Sequence, residues 1–173
     1  MAYNSYSGDK RSNYGNNSFQ KEDKSYVPDS VAIKAFYKSS TETALPDLFD
    51  KTAQEVAASF AGKNKAGKDM GVSSTQLRRI YDEVKRFEQL LATSGNQWEE
   101  QLPYIKMVKS KVAYAVARAA KQKPEEKAVY KNLEIFISSC INLIQKEKDY
   151  HVFVSLFEAV YGFYYEKAPK GAN

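Results

Sequence analysis

The chain has 173 residues, a hydrophobic content of 43% and a formal net charge of +5, values typical of one domain with a real core. Its mean hydropathy is −0.59, and no apolar run reaches the roughly 18 residues that a membrane-spanning helix requires. The start MAYNSYSGDKR is not a signal peptide and the single cysteine, Cys140, cannot form an internal disulfide, so the expected location is the cytoplasm, with no membrane partner.

Residues 1–42 are predicted to form a disordered leader. The segment is rich in Asn, Ser, Gly and Tyr and has no periodic apolar face. Only VPDSVAIKAFYK, residues 27–38, holds a few apolar residues that fit a short helix or strand. A solvated leader without a role of its own is favoured over one that touches RNA weakly. A helical domain is then predicted over residues 43–173.

The first helix is predicted over residues 47–61, where apolar residues recur with helical spacing, and Gly62 is a plausible stop. GKNKAGKDMG, residues 62–71, is predicted to be a mobile loop with three lysines. The second helix has a clear start, because Ser73 at the N-cap and Gln76 three residues later form a capping-box pattern. Val72 and Leu77 around it form a hydrophobic staple. TSGNQ, residues 93–97, ends this helix.

Three more helices follow. The third is predicted over LPYIKMVKSKVAYAVARAAKQK, residues 102–123, with Pro103 in its first turn. The fourth starts at Pro124 and runs to about residue 145, and the fifth follows Asp149 as its N-cap. No run between residues 46 and 167 has the period of a strand. The expected fold is therefore all-α, a compact bundle of about five helices.

The excess of positive charge lies in one window. Residues 74–124 contain ten basic and five acidic residues, and the rest of the chain is balanced. The third helix has six basic residues and no acid, and its cations and tyrosines, including Tyr104, lie opposite its apolar side. Cations with interleaved aromatic rings suit a polyanion such as RNA, which we favour over solubility alone. The candidate RNA-binding residues are Arg78, Arg79, Lys85, Arg86, Lys106, Lys109, Lys111, Tyr114, Arg118 and Lys121.

Catalytic chemistry is not expected. Cys140 falls on an apolar stripe and His151, the one histidine, falls off the inward side of its helix, so neither is placed in a catalytic set. No metal-ligand cluster or phosphate-binding loop is visible, and no cofactor is expected. The acids of the second helix are predicted to pair with arginines at i, i+4: Arg78 with Asp82, Arg79 with Glu83, and Asp82 with Arg86.

Three blocks of the sequence, in order, resemble a known family. VSSTQLRRIYDEVKRFE (72–88), LPYIKMVKSKVAYAVARA (102–119) and FVSLFEAVYGFYYEK (153–167) resemble the small helical subunit of the type III-A CRISPR effector, the Csm complex. The resemblance covers about residues 46–167 and leaves the leader outside. It implies a helical bundle without catalytic activity that stacks in several copies and lines the channel for the crRNA–target RNA duplex. The implied partners are crRNA, target RNA, other copies of the chain, and the backbone and large subunits.

Two other functions remain open. The basic helix could dock on an acidic protein surface, which would make the chain a protein–protein adaptor. A small DNA-binding regulator ranks last, because no recognition helix is visible.

Overall fold

The computed structural model describes Met1 and residues 29–39, 42–94 and 98–169. In this part of the chain five α-helices and one short hairpin follow each other: α1 Lys51–Ser59, β1 Ala61–Lys63, β2 Asp69–Gly71, α2 Ser74–Ser94, α3 Trp98–Gln122, α4 Lys127–Leu143 and α5 Glu147–Lys167. Short 3-10 turns lie at Asp29–Val31, Pro46–Leu48 and Pro124–Glu126. The predicted all-α bundle is confirmed. The predicted leader falls largely on residues 2–28, which lie outside the described residues.

The helices pack around α5. Helix α1 and helix α2 both lie against α5, while α3 packs between α2 and α4. The centre is aromatic, and the ring of Phe157 lies 5.8 Å from that of Phe136 and 6.0 Å from that of Phe153. Because these side chains recur on one side of their helices, as the periodicity predicts, burying them fixes which side of each helix faces solvent.

The start of α2 matches the sequence prediction only in part. Val72 and Leu77 are both fully buried, as a hydrophobic staple requires. The half of the predicted capping box in which Gln76 accepts the N–H of Ser73 is absent, since that N–H donates to the hydroxyl of Tyr130 at 3.0 Å. Within the described chain, Oε1 of Gln76 accepts no hydrogen bond. The hydroxyl of Tyr130 on α4 has therefore replaced the side chain of Gln76 as the acceptor of this N–H.

The predicted N-cap of α5 is wrong by three residues. The N-cap is Lys146 and Asp149 lies inside the first turn. Oδ2 of Asp149 accepts the backbone N–H groups of Gln145 at 2.9 Å and Lys146 at 3.0 Å. An acid at this position accepts hydrogen bonds from the unpaired N–H groups of the helix start and interacts favourably with its positive end. Asp149 therefore stabilises the start of α5 from inside the first turn, although it is not the N-cap residue.

Helix α3 begins at Trp98, four residues before the predicted start. Trp98 packs against the core, with its ring 6.4 Å from that of Tyr150, and Glu99 and Glu100 occupy the first turn, where acids favour a helix N-terminus. Pro103 consequently lies in the second turn, where its missing N–H leaves one carbonyl of the preceding turn without its usual donor.

Residues 62–71 are not the predicted loop but part of an antiparallel hairpin. Ala61 pairs with Gly71 and Lys63 with Asp69. Oδ1 of Asn64 accepts the N–H groups of Ala66 and Lys68, each at 3.0 Å, and Gly67 has a φ of 77° that favours glycine. Asn64 and Gly67 thus form an ordered turn in a segment that its three lysines had led us to predict as a mobile loop.

The packed region extends further toward the N-terminus than the predicted boundary at residue 43. Val31, Ile33 and Phe36 are buried in the core, and the N–H of Ile33 donates to the hydroxyl of Ser139 on α4 at 3.0 Å. The segment lies against α1 and α4. Its few apolar residues are enough to seal this side of the bundle.

Candidate nucleic-acid interface

A groove runs between α2 and α3 on the side predicted to be basic. Its volume is about 220 Å³. The floor is apolar, because Ile80 of α2 and Val108 of α3 are buried beneath it and Ala115 is half-buried. The complete lining is Gln76, Arg79, Ile80, Glu83, Val108, Lys111, Tyr114, Ala115 and Arg118. The structure therefore brings four of the ten candidate residues, Arg79, Lys111, Tyr114 and Arg118, together.

Three of the ten candidate residues are cations that are available to an external anion. Arg79, Arg118 and Lys121 are exposed, and no ion pair or hydrogen bond of their side chains occurs within residues 29–39, 42–94 and 98–169. Arg79 and Arg118 lie on opposite sides of the groove, and Lys121 follows one turn later on α3. Tyr114 stands beside them with 69% of its surface exposed. We call Arg79, Tyr114, Arg118 and Lys121 the open cluster.

Glu83 neutralises part of the groove. Its Oε1 accepts from Nζ of Lys111 at 2.5 Å and from Nη2 of Arg86 at 2.9 Å. Hydrogen bonds from Arg86 and then from Lys111 hold the pKa of this carboxyl below its ordinary value. The hydrogen bond to Glu83 raises the pKa of Arg86. Two of the predicted RNA-binding residues thus share one internal acid.

Lys106 and Lys109 are occupied by α4. Nζ of Lys106 donates to the carbonyls of Ile141 and Ile144, each at 2.7 Å, at the end of that helix. Burial, followed by the charge of Lys109, lowers the pKa of Lys106. Nζ of Lys109 donates to Oδ1 of Asn142 at 2.8 Å. A lysine here satisfies carbonyls that a helix end leaves without donors.

The remaining candidates pair along α2. Arg78 lies 3.6 Å from Asp82, which confirms that predicted pair. Lys85 contacts Glu88 at 2.5 Å and Glu158 at 3.7 Å, and the hydrogen bond that Lys85 donates to Glu88 is the main cause of its raised pKa.

The other two predicted pairs are wrong. Arg79 has no partner in the described part of the chain, and Arg86 contacts Glu83 instead of Asp82. Glu83 accepts from Arg86, three residues later on α2, and from Lys111 on α3 instead of from Arg79 at the predicted i, i+4 spacing.

The sequence reasoning missed two features of this face. Met107 is 53% exposed next to Tyr104, which is 56% exposed, so the first half of the solvent face of α3 carries apolar groups. The spacing 104, 107, 111, 114, 118 and 121 alternates steps of three and four, which is the signal that could have identified a single seam. Gln76 was placed in a cap and instead lines the groove.

The groups considered for catalysis lie elsewhere. Cys140 is buried, and burial raises the pKa of its thiol. His151 is exposed, with ring nitrogens 3.6 Å from Glu88 and 3.5 Å from Glu147. In the part of the chain that the structure describes, no three His, Cys, Asp or Glu residues are grouped to hold a metal ion. None of the described helices is long and apolar enough to cross a membrane.

Comparison with protein-family models matches residues 45–169 to the family described as Csm2 Type III-A. Comparisons with curated proteins and with solved structures found no match. The matched range includes α1 to α5 and both sides of the groove, and it agrees with the resemblance carried by the three sequence blocks. The chain therefore belongs to the Csm2 Type III-A family, a family of structural subunits of the type III-A CRISPR complex.

Proposed function

We propose that this protein is a non-catalytic RNA-binding subunit that lines the crRNA–target RNA channel of a cytoplasmic type III-A complex. The observation that carries the proposal is the open cluster: three cations without partners among the described residues, beside an exposed tyrosine, in a member of a family that serves a CRISPR complex. The contacts are made to the sugar–phosphate backbone, so guide–target pairing and not this chain selects the sequence.

The chemistry of the open cluster supports backbone binding. Each cation that neutralises a phosphate releases condensed counterions, which makes the binding strong at low salt and weak at high salt. The planar guanidinium groups of Arg79 and Arg118 can each hold two phosphate oxygens. Tyr114 offers a ring on which a ribose or base can stack without selecting a sequence.

The partners in this proposal are crRNA and target RNA, other copies of the chain, and the backbone and large subunits. Tyr104 and Met107 support the protein contacts, because two large exposed apolar groups on one helix are typical of an interface core. They lie on the same helix as Arg118 and Lys121. One helix can therefore contact protein with its first half and RNA with its second.

The same apolar residues favour the alternative function, a helical adaptor whose basic face docks on an acidic protein. In that case Tyr104 and Met107 form the centre of the interface and Arg118 and Lys121 its charged rim. The two functions differ in whether free RNA binds to the isolated chain.

The deciding experiment is a titration of the full chain with fluorescently labelled single-stranded RNA at several salt concentrations. The triple variant Arg79→Ala, Arg118→Ala, Lys121→Ala removes the three cations of the open cluster. Since each phosphate contact adds about 0.7 to the slope of log affinity against log salt, the triple variant should lower the slope by about 2. Its affinity should fall sharply at low salt.

A matched triple variant controls for net charge. Lys34, Lys38 and Lys51 are exposed lysines on the N-terminal segment and α1, so replacing them by alanine removes the same three charges from another side of the bundle. This control should keep the wild-type slope. If both triple variants weaken binding equally, net charge alone drives the association. RNA binding that ignores salt, or no binding by the wild type, would favour the adaptor.

A further inference from the structure

We propose that the groove between α2 and α3 holds one nucleobase of the bound RNA, while the cations at its edges hold the flanking phosphates. This inference rests on the proposed function, and it adds an enclosed base site to a surface that otherwise contacts mainly the backbone. The groove, its lining and its charges carry the argument.

The size of the groove fits part of a nucleotide. Its volume of about 220 Å³ is below the roughly 300–1,000 Å³ that is typical of sites for drug-sized ligands. A single ring system can enter, whereas a stretch of RNA can only pass over it. The floor of Ile80, Val108 and Ala115 offers apolar surface to a flat ring. A phosphate on this floor would lose its hydration without gaining a partner.

Gln76 and Glu83 bring acceptors into the groove, and the ammonium of Lys111 in its lining is already bonded to Glu83. Oε1 of Gln76 is shielded from solvent and accepts no hydrogen bond within the described residues, and Glu83 contributes a carboxylate with further lone pairs. A phosphate diester carries no donor for these acceptors. Every nucleobase carries N–H groups on its edge. The interior therefore favours a base over a phosphate, since the unpartnered acceptor of Gln76 gains a donor only from the base.

The edges of the groove have the opposite preference. Arg79 on α2 and Arg118 on α3 border it from two sides, and neither has a protein partner in the described region. A nucleotide whose base enters the groove leaves its two phosphates outside, near these guanidinium groups. Tyr114, exposed on the same edge, can cover the outer face of the base by stacking. The base contacts therefore lie inside the groove, and the phosphate contacts lie at its edges.

The test compares two ligands of equal length and charge: oligoadenylate RNA and the same ribose–phosphate chain without bases. Wild-type protein should bind the oligoadenylate at least about fivefold more tightly, because stacking one base on an aromatic ring contributes that much or more. The variant Ala115→Leu fills the groove and should lose this advantage. Its affinity for the abasic chain and its salt slope should stay at the wild-type values.

Two further variants make the result specific. Ala117→Leu adds the same volume at an exposed position of α3 outside the groove lining and should change nothing. Tyr114→Ala alters an exposed side chain and should lower the affinity for the oligoadenylate more than the affinity for the abasic chain, because only the first ligand has a base to stack on the ring. Circular dichroism checks that each variant is folded.

The outcomes separate the two proposals. Equal affinity of the wild type for both ligands, with the salt dependence intact, overturns the base site and leaves the backbone function standing. An Ala115→Leu variant that is folded and loses both ligands equally also overturns it. If the wild type binds neither ligand, the proposed function itself fails, and the base site fails with it.

Discussion

The two halves of α3 hold similar numbers of cations and use them differently. In the first half, Lys106 and Lys109 donate to α4, and at the middle of the helix Lys111 donates to Glu83. In the second half, Arg118 and Lys121 have no side-chain partner among the described residues. The sign of a charged helix face therefore predicts little about whether its cations are available to an external anion, because a neighbouring element can already bind them.

The neighbours explain the difference. The first half of α3 runs beside the end of α4, where the carbonyl of Ile141 accepts a long backbone hydrogen bond of 3.4 Å from Ile144 and Lys106 donates to the carbonyls of both residues. The second half faces the first turns of α2, where Arg79 is another cation. Like charges that face each other across a groove cannot neutralise one another, so this end keeps its positive potential for an external anion.

The sharpest test of this comparison is the stability of two matched variants. Lys106→Met keeps the side-chain length and removes the donor to two carbonyls, and we expect it to lower the free energy of unfolding by about 2 kcal/mol. Lys121→Met, in the second half, should change it by less than about 0.5 kcal/mol. Urea denaturation of both variants measures the difference. Equal stabilities would mean that Lys106 contributes nothing to the bundle.

RNA affinity should show the reverse order. Arg118→Ala should weaken binding to single-stranded RNA about fivefold to tenfold at low salt, because one unneutralised phosphate and its counterion release are lost. Lys109→Ala should leave affinity within about twofold, since its amine already serves Asn142. Fluorescence anisotropy at fixed salt gives both values. A larger loss for Lys109→Ala would show that α4 releases this lysine when RNA binds.

The sequence predicted the helices well because each carries a regular apolar stripe. The inward residues of α4 from Val129 to Ile144 are buried as expected. The sequence-based predictions were wrong where a contact between distant segments formed in place of the expected local contact. Tyr130 captures the N–H of Ser73, and Asp149 serves the start of α5 and the hydroxyl of Tyr37 together. Neither contact has a signal within its own stretch of sequence.

The candidate site was predicted as a face, and the structure narrows it to a part of that face. Periodicity placed Arg118, Lys121 and Tyr114 on the solvent side of α3, where they are exposed. It could not reveal that Lys106 bends to the end of α4, because the partner lies 35 residues away in sequence. Whether the open cluster contacts RNA stays a prediction.

Glu83 lies at the boundary between the two halves, and its removal should extend the available charge. Glu83→Gln frees Arg86 and Lys111 from their shared acid and keeps the size of the side chain. RNA affinity should rise about threefold and the salt slope should increase by up to about 0.7 for each newly available cation. Glu134→Gln, which removes an acid paired with Lys131 on α4, is the matched control and should have little effect.

The smallest expected effect is the pH dependence of stability that Glu83 contributes. Its pKa is lowered in the folded chain by Arg86 and then by Lys111, so its stabilisation is present above the unfolded pKa of about 4.3 and is lost as the pH falls through the lower folded pKa. The free energy of unfolding of the wild type should therefore exceed that of Glu83→Gln by less than about 1 kcal/mol at pH 7, since both cations are half exposed. This difference should shrink steadily between about pH 5 and pH 3. Urea denaturation of both proteins across this range measures it. A difference that stays constant with pH would mean that the amide loses a packing contact and that the ion pairs of Glu83 do not contribute to stability. Lys111 would then count, like Arg118 and Lys121, as a cation available to an external anion.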